Sequence, residues 1–131
     1  NFKCAVSEKN QIVKIFFQKE LSQLSTTDKE QAKKVFQGKI KSREIQSYTL
    51  DYILEKSKYN NREIDLLDID VEGTDYKVLL GLNFEKYKPK LICVEIYNKN
   101  IKEDKIYKFL TNKGYTLIWS GIFSHLFKRL K

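Results

Sequence analysis

Four carboxylates lie within one strongly apolar segment of the chain. Residues 64–73 read IDLLDIDVEG, so Asp65, Asp68, Asp70 and Glu72 are interleaved with leucine, isoleucine and valine. A buried carboxylate is costly unless a partner or a ligand compensates for the lost hydration. Carboxylates kept beside an apolar strand are therefore candidates for attracting a cation or for accepting a proton in catalysis.

Three acids fall at the predicted ends of strands. Asp70 and Glu72 lie where the strand predicted over residues 64–70 ends, and Glu95 lies near the end of the apolar run PKLICVEI, residues 89–96. Ligands of open parallel sheets bind outside the carboxyl ends of the strands. The alternative is that these acids only stabilise helix N-termini, where a negative charge contributes about 0.3–1 kcal/mol. Both interpretations stay open on the residues alone.

The turn between the last two predicted strands carries further candidates. His125 is the only histidine of the chain, and its ordinary pKa suits a general base. A catalytic role on the ligand-facing rim is one interpretation, and a structural role is the other. Trp119 and Phe123, which flank the same turn, are predicted to be core residues. Asp68 lies in mid-strand, where a lysine from a covering helix is one candidate partner that the residues alone do not identify.

The sequence does not indicate a metal site. Asp70 and Glu95 could offer only oxygen ligands, and an oxygen-only site with so few carboxylates binds weakly. Cys4 and Cys93 are too few and too far apart for a disulfide framework or a zinc site. Reduced thiols are typical of a cytoplasmic protein, which is the expected location.

The composition is that of a folded globular chain with an excess of lysine. The net charge is +8 and 41% of the 131 residues are hydrophobic, which is the usual range for one domain. The only arginines are Arg43, Arg62 and Arg129, and the lysines are spread along the whole chain. Because arginine and clustered charge favour phosphate binding, nucleic-acid binding is an alternative and not the main prediction. No apolar run reaches the ~18 residues of a membrane helix, so no membrane partner is expected.

Alternating strands and helices are predicted to position these residues. The pattern is strand, helix, strand, helix, strand, strand in the second half of the chain, which indicates an α/β fold. The predicted strands are 2–7, 11–17, 43–48, 64–70, 89–96, 115–120 and 123–130. The predicted helices are 28–37, a helix capped by Thr49, 74–82, and 102–113 with Gly114 at its end.

Residues 64–96 carry a resemblance to a known family. Their sequence, IDLLDIDVEGTDYKVLLGLNFEKYKPKLICVEI, closely resembles the FkbM-type family of S-adenosylmethionine-dependent methyltransferases. The hallmarks are a strand ending in D-x-E-G, a helix with VL-x-G-L, then KY-x-P-K and a strand that finishes in glutamate. The flanking segments that are similar to the family are NFKCAVSEKNQIVKIFF, YTLDYIL and KGYTLIWSGIFSHLFKR.

The resemblance implies a fold and a reaction. The fold is a Rossmann-like methyltransferase sheet with strand order 3-2-1-4-5-7-6, mostly parallel with an antiparallel final strand, and with helices on both faces. The reaction is methyl transfer from S-adenosylmethionine to a hydroxyl group of a glycan or another small metabolite. The resemblance gives no oligomeric state.

The resemblance also implies roles for individual residues. Asp70, Val71 and Gly73 are expected to contact S-adenosylmethionine, and Ser7 and Glu8 are further candidates because they follow the strand next to which related enzymes hold adenine. The candidate catalytic residues are Asp70, Glu72, Glu95 on the acceptor side, and His125.

One departure from the family concerns the cofactor loop. The family carries a D-x-G-A-N-x-G loop after its first strand, whereas the glycines of this chain are isolated at positions 38, 73, 81, 114 and 121. We therefore expect residues 1–131 to be a single domain that is the C-terminal portion of a methyltransferase domain. A non-catalytic α/β binding module derived from a methyltransferase is the alternative.

Overall fold

The computed structural model describes residues 1–130, and this part of the chain is mixed α/β with two separate sheets. The α/β class predicted from the sequence is confirmed. The strands are β1 Ala5–Val6, β2 Gln11–Phe17, β3 Lys41–Tyr48, β4 Leu66–Ile69, β5 Leu91–Glu95, β6 Tyr115–Ser120 and β7 Ser124–Arg129. The helices are α1 Lys29–Val35, α2 Leu50–Lys56, α3 Asp75–Leu80 and α4 Lys105–Asn112, and a 3₁₀ turn covers Ile101–Glu103.

The described residues form two compact units. The first comprises residues 1–58 and 71–82, and the second comprises residues 59–70 and the described residues from 83 onward. The prediction of a single domain over 1–131 is not tested by this division and stays a prediction.

The first unit contains a three-stranded sheet with the order β1-β3-β2. β1 runs parallel to β3, and β2 runs antiparallel to it. Helix α1 begins after Asp28, whose Oδ1 accepts from the backbone N–H groups of Glu30 and Gln31 at 2.8 and 3.0 Å. Helix α2 begins after Thr49, whose hydroxyl accepts from the Tyr52 N–H at 3.2 Å. Such caps satisfy amide groups that a helix start leaves unpaired, so the prediction of a Thr49 cap is confirmed.

The second unit contains a four-stranded sheet with the order β4-β5-β7-β6. β4 is parallel to β5, while β7 is antiparallel to both β5 and β6, so β4, β5 and β6 all run in one direction. One face of this sheet is the core of the unit, where Ile92, Val94 and Phe127 are fully buried. The Tyr107 ring of α4 meets the Phe127 ring edge-on at 6.0 Å, so α4 covers this buried face.

The expectation of one mostly parallel sheet is met only in part. The strands are divided between two sheets, and two of the three pairings in the second sheet are antiparallel. The short connection at Gly121 explains the two antiparallel pairings. Strands joined by a tight turn must pair antiparallel, whereas parallel neighbours need a long crossover. β7 therefore runs opposite to β6, and because it lies between β5 and β6 it is antiparallel to both. Helices on both faces of one sheet stay a prediction.

The predicted helix over 102–113 is divided at Asp104. The residues before it form the 3₁₀ turn, and the Asp104 carboxylate accepts from the Ile106 N–H at 2.8 Å, which starts α4 at the next residue. An aspartate with this bond is an N-cap, and it fixes a helix start where hydrophobic periodicity alone shows none. Gly114 follows the helix with a φ of 82°, as a glycine after a helix end commonly does.

Two further properties concern cysteines and membranes. Cys4 and Cys93 are both free thiols that are partly exposed. Within residues 1–130, no helix has the length and apolar character that a membrane crossing requires.

Candidate functional site

Asp70 and Glu95 lie side by side at the carboxyl ends of two parallel strands. Ile69 of β4 is in register with Val94 of β5. Asp70 and Glu95 directly follow these two residues in the sequence. This end of a parallel pair is where α/β sheets bind their ligands. The sequence predicted this proximity from the ends of two separate apolar runs.

A third carboxylate makes this edge strongly negative. Asp68 is in register with Cys93, so its carboxylate and the Cys93 thiol are neighbours across the strand pair. Burial raises the pKa of the Cys93 thiol, and the hydrogen bond and charge of Asp68 raise that pKa further, with smaller contributions from Glu95 and Asp70. The three carboxylates therefore oppose a new negative charge here, and the same potential attracts a cation. Asp68 makes no ion pair with a lysine among the described residues, and its neighbour across the strand pair is the Cys93 thiol.

Aromatic side chains adjoin Glu95. The Tyr97 hydroxyl donates a hydrogen bond to Glu95 Oε2, and the Tyr97 ring lies 5.1 Å from the ring of Phe123, between their centroids. Phe123 is 49% exposed and Trp119 is 55% exposed, so the prediction that both are core residues is wrong. β6 is the edge strand and its register with β7 shifts between Leu117 and Trp119, and such a bulge re-aims the side chains that follow it.

The sequence reasoning did not single out Tyr97. The available signal was its position two residues after Glu95, since side chains two apart on an extended chain point to the same side. The hydrogen bond leaves one carboxylate oxygen of Glu95 engaged by the phenol and orients the other.

His125 is buried in the second unit and does not lie on the ligand-facing rim. It is 1% exposed, and its Nε2 lies 3.3 Å from the carbonyl oxygen of Ile96. Its Nδ1 has no hydrogen-bond partner among the described residues. The physical reason is strand alternation, because His125 shares a face of β7 with the core residue Phe127 two positions later. The predicted rim position is therefore wrong, and a role as a base stays a prediction.

In the first unit, Ser7 and Glu8 follow β1 as expected. The Ser7 N–H donates to the Tyr48 carbonyl at 3.0 Å, and its hydroxyl donates to the Glu8 carboxylate. The hydrogen bond from this hydroxyl is the main cause that holds the pKa of Glu8 below its ordinary value; partial burial opposes it, and a backbone N–H, Lys77 and Lys9 lower the pKa further. Glu8 is thus kept ionised at the end of the strand.

The segment Val71–Gly73 forms a tight turn with two consecutive residues in the left-handed region. Glu72 has a φ of 52° and Gly73 a φ of 93°, and the Thr26 hydroxyl donates to the Glu72 carbonyl at 2.7 Å. Glycine adopts such angles without cost, as expected for Gly73. Glutamate rarely does, and non-glycine residues held in this region concentrate at functional sites.

Gly81 is a positioning residue that the sequence reasoning did not single out. A Cβ atom at Gly81 would stand closer than 3.0 Å to the carbonyl oxygen of Ser7. Glycine therefore lets the end of α3 pack directly against the backbone of Ser7. The sequence showed only a glycine at the end of an apolar helix, which is equally typical of an ordinary helix end.

The structure divides the candidate residues between the two units. Asp70, Glu95 and His125 belong to the second unit, and the first contains the others: Ser7, Glu8, Val71, Glu72 and Gly73. Within residues 1–130, no group of three or more histidine, cysteine, aspartate or glutamate side chains is arranged to hold a metal ion.

Comparison with known proteins gives one match. The model of the methyltransferase FkbM domain matches residues 2–117, a range that covers most of each unit and every candidate residue except His125. The comparisons with curated proteins and with solved structures found no match. Because the family model spans most of the chain, the chain belongs to the FkbM methyltransferase domain family.

Proposed function

We propose that the protein is an S-adenosylmethionine-dependent methyltransferase that acts on a hydroxyl oxygen of a glycan or another small metabolite. Membership of the FkbM methyltransferase domain family supports the reaction class. A Rossmann-like architecture is part of the proposal. It is supported by the order β4-β5-β7-β6, which corresponds to the last four strands of the order 3-2-1-4-5-7-6 that the resemblance implies.

The observation that carries the proposal is the negative edge formed by Asp68, Asp70 and Glu95. S-adenosylmethionine supplies a methyl group from a positively charged sulfonium. The carboxylates that raise the pKa of Cys93 have the opposite charge, so the donor set fits the cationic part of this cofactor. Asp70 is exposed and makes no ion pair with any lysine or arginine among the described residues. Its charge is therefore free to act on a ligand.

Asp70 and Glu95 have separate roles in this proposal. Asp70 attracts the cationic centre and accepts the proton of the acceptor hydroxyl, for which an exposed carboxylate at the end of a strand is suited. Glu95 is held by the Tyr97 hydroxyl and forms a hydrogen bond to the acceptor. Fixed groups of this kind align two reactants, and alignment supplies much of the rate of a displacement reaction.

The exposed aromatic rings indicate the acceptor side. Tyr97 and Phe123 are in contact, and both are about half exposed next to Glu95. Aromatic faces beside a carboxylate are a suitable surface for a sugar ring or another flat metabolite, because they combine apolar contact with a polar anchor. The cofactor contacts implied for Ser7, Glu8, Val71 and Gly73 stay predictions, as does the catalytic role of Glu72.

The test is methyl transfer measured with S-[methyl-³H]adenosylmethionine on the full-length protein, expressed from its complete reading frame, against a panel of glycans and hydroxylated metabolites. Asp70→Asn keeps the side-chain shape and removes the charge, and we expect it to lower kcat by roughly 10²–10⁴-fold because a general base contributes that much. The matched control is Asp65→Asn, which removes the same charge from an exposed residue near the opposite end of β4, where Asp65 pairs with Lys90. Equal activity of the two variants would contradict the role of Asp70, and a lack of transfer to every acceptor class would contradict the proposed function.

A further inference from the structure

A cavity lies at the end of the four-stranded sheet that is opposite to Asp70 and Glu95. Its volume is about 480 Å³, which is within the range of small-molecule sites. Its walls come from the residues before β5, those before β6 and the end of β7, among them Lys88, Asn112 and Arg129. All of these segments belong to the second unit, so the cavity is defined by one compact body.

The cavity is lined by more positive than negative charge. Lys88, Lys113 and Arg129 line it together with one carboxylate, that of Glu85. The Glu85 side chain is 85% exposed, and its carboxylate is 3.9 Å from the Lys88 ammonium. A long ion pair between exposed groups is weak, so Glu85 leaves the three cations available to an anionic ligand.

Two of the cations are held in place before any ligand binds. The Arg129 Nη1 donates to the Lys88 carbonyl at 2.5 Å, which orients the guanidinium. This bond uses only one of the five N–H donors of the guanidinium. The Lys113 ammonium lies 6.0 Å from the centroid of the Phe84 ring and 5.8 Å from that of Phe109. Groups that are already oriented lose less freedom on binding, so such cations bind an anion more tightly than mobile surface lysines.

The floor of the cavity is aromatic. Phe84 packs edge-on against Phe109 and Tyr115, with ring centroids 5.5 and 5.9 Å apart. The Tyr115 hydroxyl is engaged because it donates to the Pro89 carbonyl at 2.7 Å. Phe84 and Tyr115 line the cavity and are 6% and 3% exposed, so they form its buried side, whereas the lining residues Lys88 and Lys113 are exposed.

We infer that this cavity binds a small molecule that carries a phosphate group on a ring. The ring fits the aromatic floor, and the phosphate fits the three cations, of which arginine offers the planar fork that matches phosphate oxygens. This site is separate from the proposed methyl-transfer site, and it does not depend on the proposed function.

The experiment uses phenyl phosphate as the probe, titrated into the full-length protein and followed by isothermal calorimetry and by NMR amide shifts. Inorganic phosphate and phenol test the two halves of the probe separately. We expect phenyl phosphate to bind more tightly than inorganic phosphate, and phenol to bind weakest. The amide shifts are expected at Lys113, Gly114 and Arg129.

The variant Lys113→Ala is expected to weaken phenyl phosphate about tenfold, which is the usual loss for one charge-assisted hydrogen bond. The matched control is Lys128→Ala, which removes the same charge from an exposed β7 residue that does not line the cavity. Thermal melts of both variants check that each is folded. The inference is overturned if the two variants weaken binding equally, if inorganic phosphate binds as tightly as phenyl phosphate, or if no saturable binding is seen by millimolar probe. Asp70→Asn should leave phenyl phosphate binding unchanged, so failure here is distinguishable from failure of the methyltransferase proposal.

Discussion

Replacing Gly81 with alanine tests how the first unit positions Ser7. The new Cβ would stand closer than 3.0 Å to the Ser7 carbonyl oxygen, whereas ordinary contacts begin near 3.4 Å. The obstacle is main chain and cannot rotate away, so one of the two backbone segments must move by several tenths of an ångström. Overpacking of this kind costs about 1–3 kcal/mol.

An opposing effect decides whether the net change is a loss. Gly81 has a φ of −82°, which alanine adopts without strain. A glycine-to-alanine change at such a position stabilises the fold by about 0.4–1 kcal/mol, because alanine lowers the conformational entropy of the unfolded chain. The steric cost is larger, so we expect a net loss of about 1–2 kcal/mol. With a urea m-value of about 2 kcal/mol/M, the midpoint of unfolding should fall by about 0.5–1 M.

Gly121→Ala is the matched control for Gly81→Ala. Its Cβ would also meet an atom closer than 3.0 Å, but that atom is the tip of the Trp119 ring, and Trp119 is largely exposed and can move. We expect this variant to stay within about 0.5 kcal/mol of the natural protein. The account of Gly81 is refuted if Gly81→Ala unfolds at the same urea concentration as Gly121→Ala, or if it is more stable than the natural protein.

Three further predictions concern ionisation. Since the Ser7 hydroxyl is the main cause of the low pKa of Glu8, Ser7→Ala should raise that pKa in a carboxyl ¹³C NMR titration. The ionised Glu8 stabilises the fold above the pKa of an unfolded glutamate, and this stabilisation is lost as the pH falls through the folded pKa. Because Ser7→Ala removes part of this stabilisation at neutral pH, the variant should lose less stability on acidification than the natural protein. In a Cys4→Ser background, Asp68→Asn should lower the pKa of Cys93 and speed its alkylation by iodoacetamide at pH 8.5, and an unchanged rate would show that the carboxylate does not act on the thiol. Burial raises the pKa of Tyr115 to about 12, so its neutral phenol favours the folded state below pH ~10 and this contribution is lost between pH ~10 and the folded pKa; ultraviolet titration should show one late-ionising tyrosine that Tyr115→Phe removes.

The order and type of the elements could be predicted because they depend on local patterns. The continuous apolar run that became β5 has the signature of a strand buried on both faces, and Thr49 has the residue type of a helix cap. These signals are read within a few residues. That Asp70 and Glu95 lie at the same edge of the sheet could be predicted from where two such runs end, whereas the register of β4 and β5 could not.

The side-chain environments could not be predicted in the same way. Trp119 has a large apolar side chain of the kind that is usually buried, yet it lies beside a bulge in an edge strand and is largely exposed. His125 sits close to a turn in the sequence, yet strand alternation places it on the core face with Phe127. The partner of Asp68 depends on a residue 25 positions later, which no local pattern reports. Gly81 matters because of a carbonyl 74 residues away.

The cavity beside Lys113 was also outside the reach of sequence reasoning. Its three cations, Lys88, Lys113 and Arg129, come from separate segments of the chain. Because positive residues are spread along a sequence with a net charge of +8, no local pattern separates these three from the others. Diffuse charge in a sequence becomes a localised patch only when the topology brings the segment before β5, the segment before β6 and the end of β7 to one end of a sheet. This convergence follows from the order β4-β5-β7-β6.

The most direct test of the central claim compares two ligands that differ in charge at one sulfur atom. S-adenosylmethionine carries a positive sulfonium, and S-adenosylhomocysteine carries a neutral thioether. Calorimetry on the full-length protein should show that Asp70→Asn weakens S-adenosylmethionine about tenfold while S-adenosylhomocysteine is little affected. Equal losses for both ligands, or no binding of either by the natural protein, would contradict the claim that this carboxylate edge recognises a cationic sulfur.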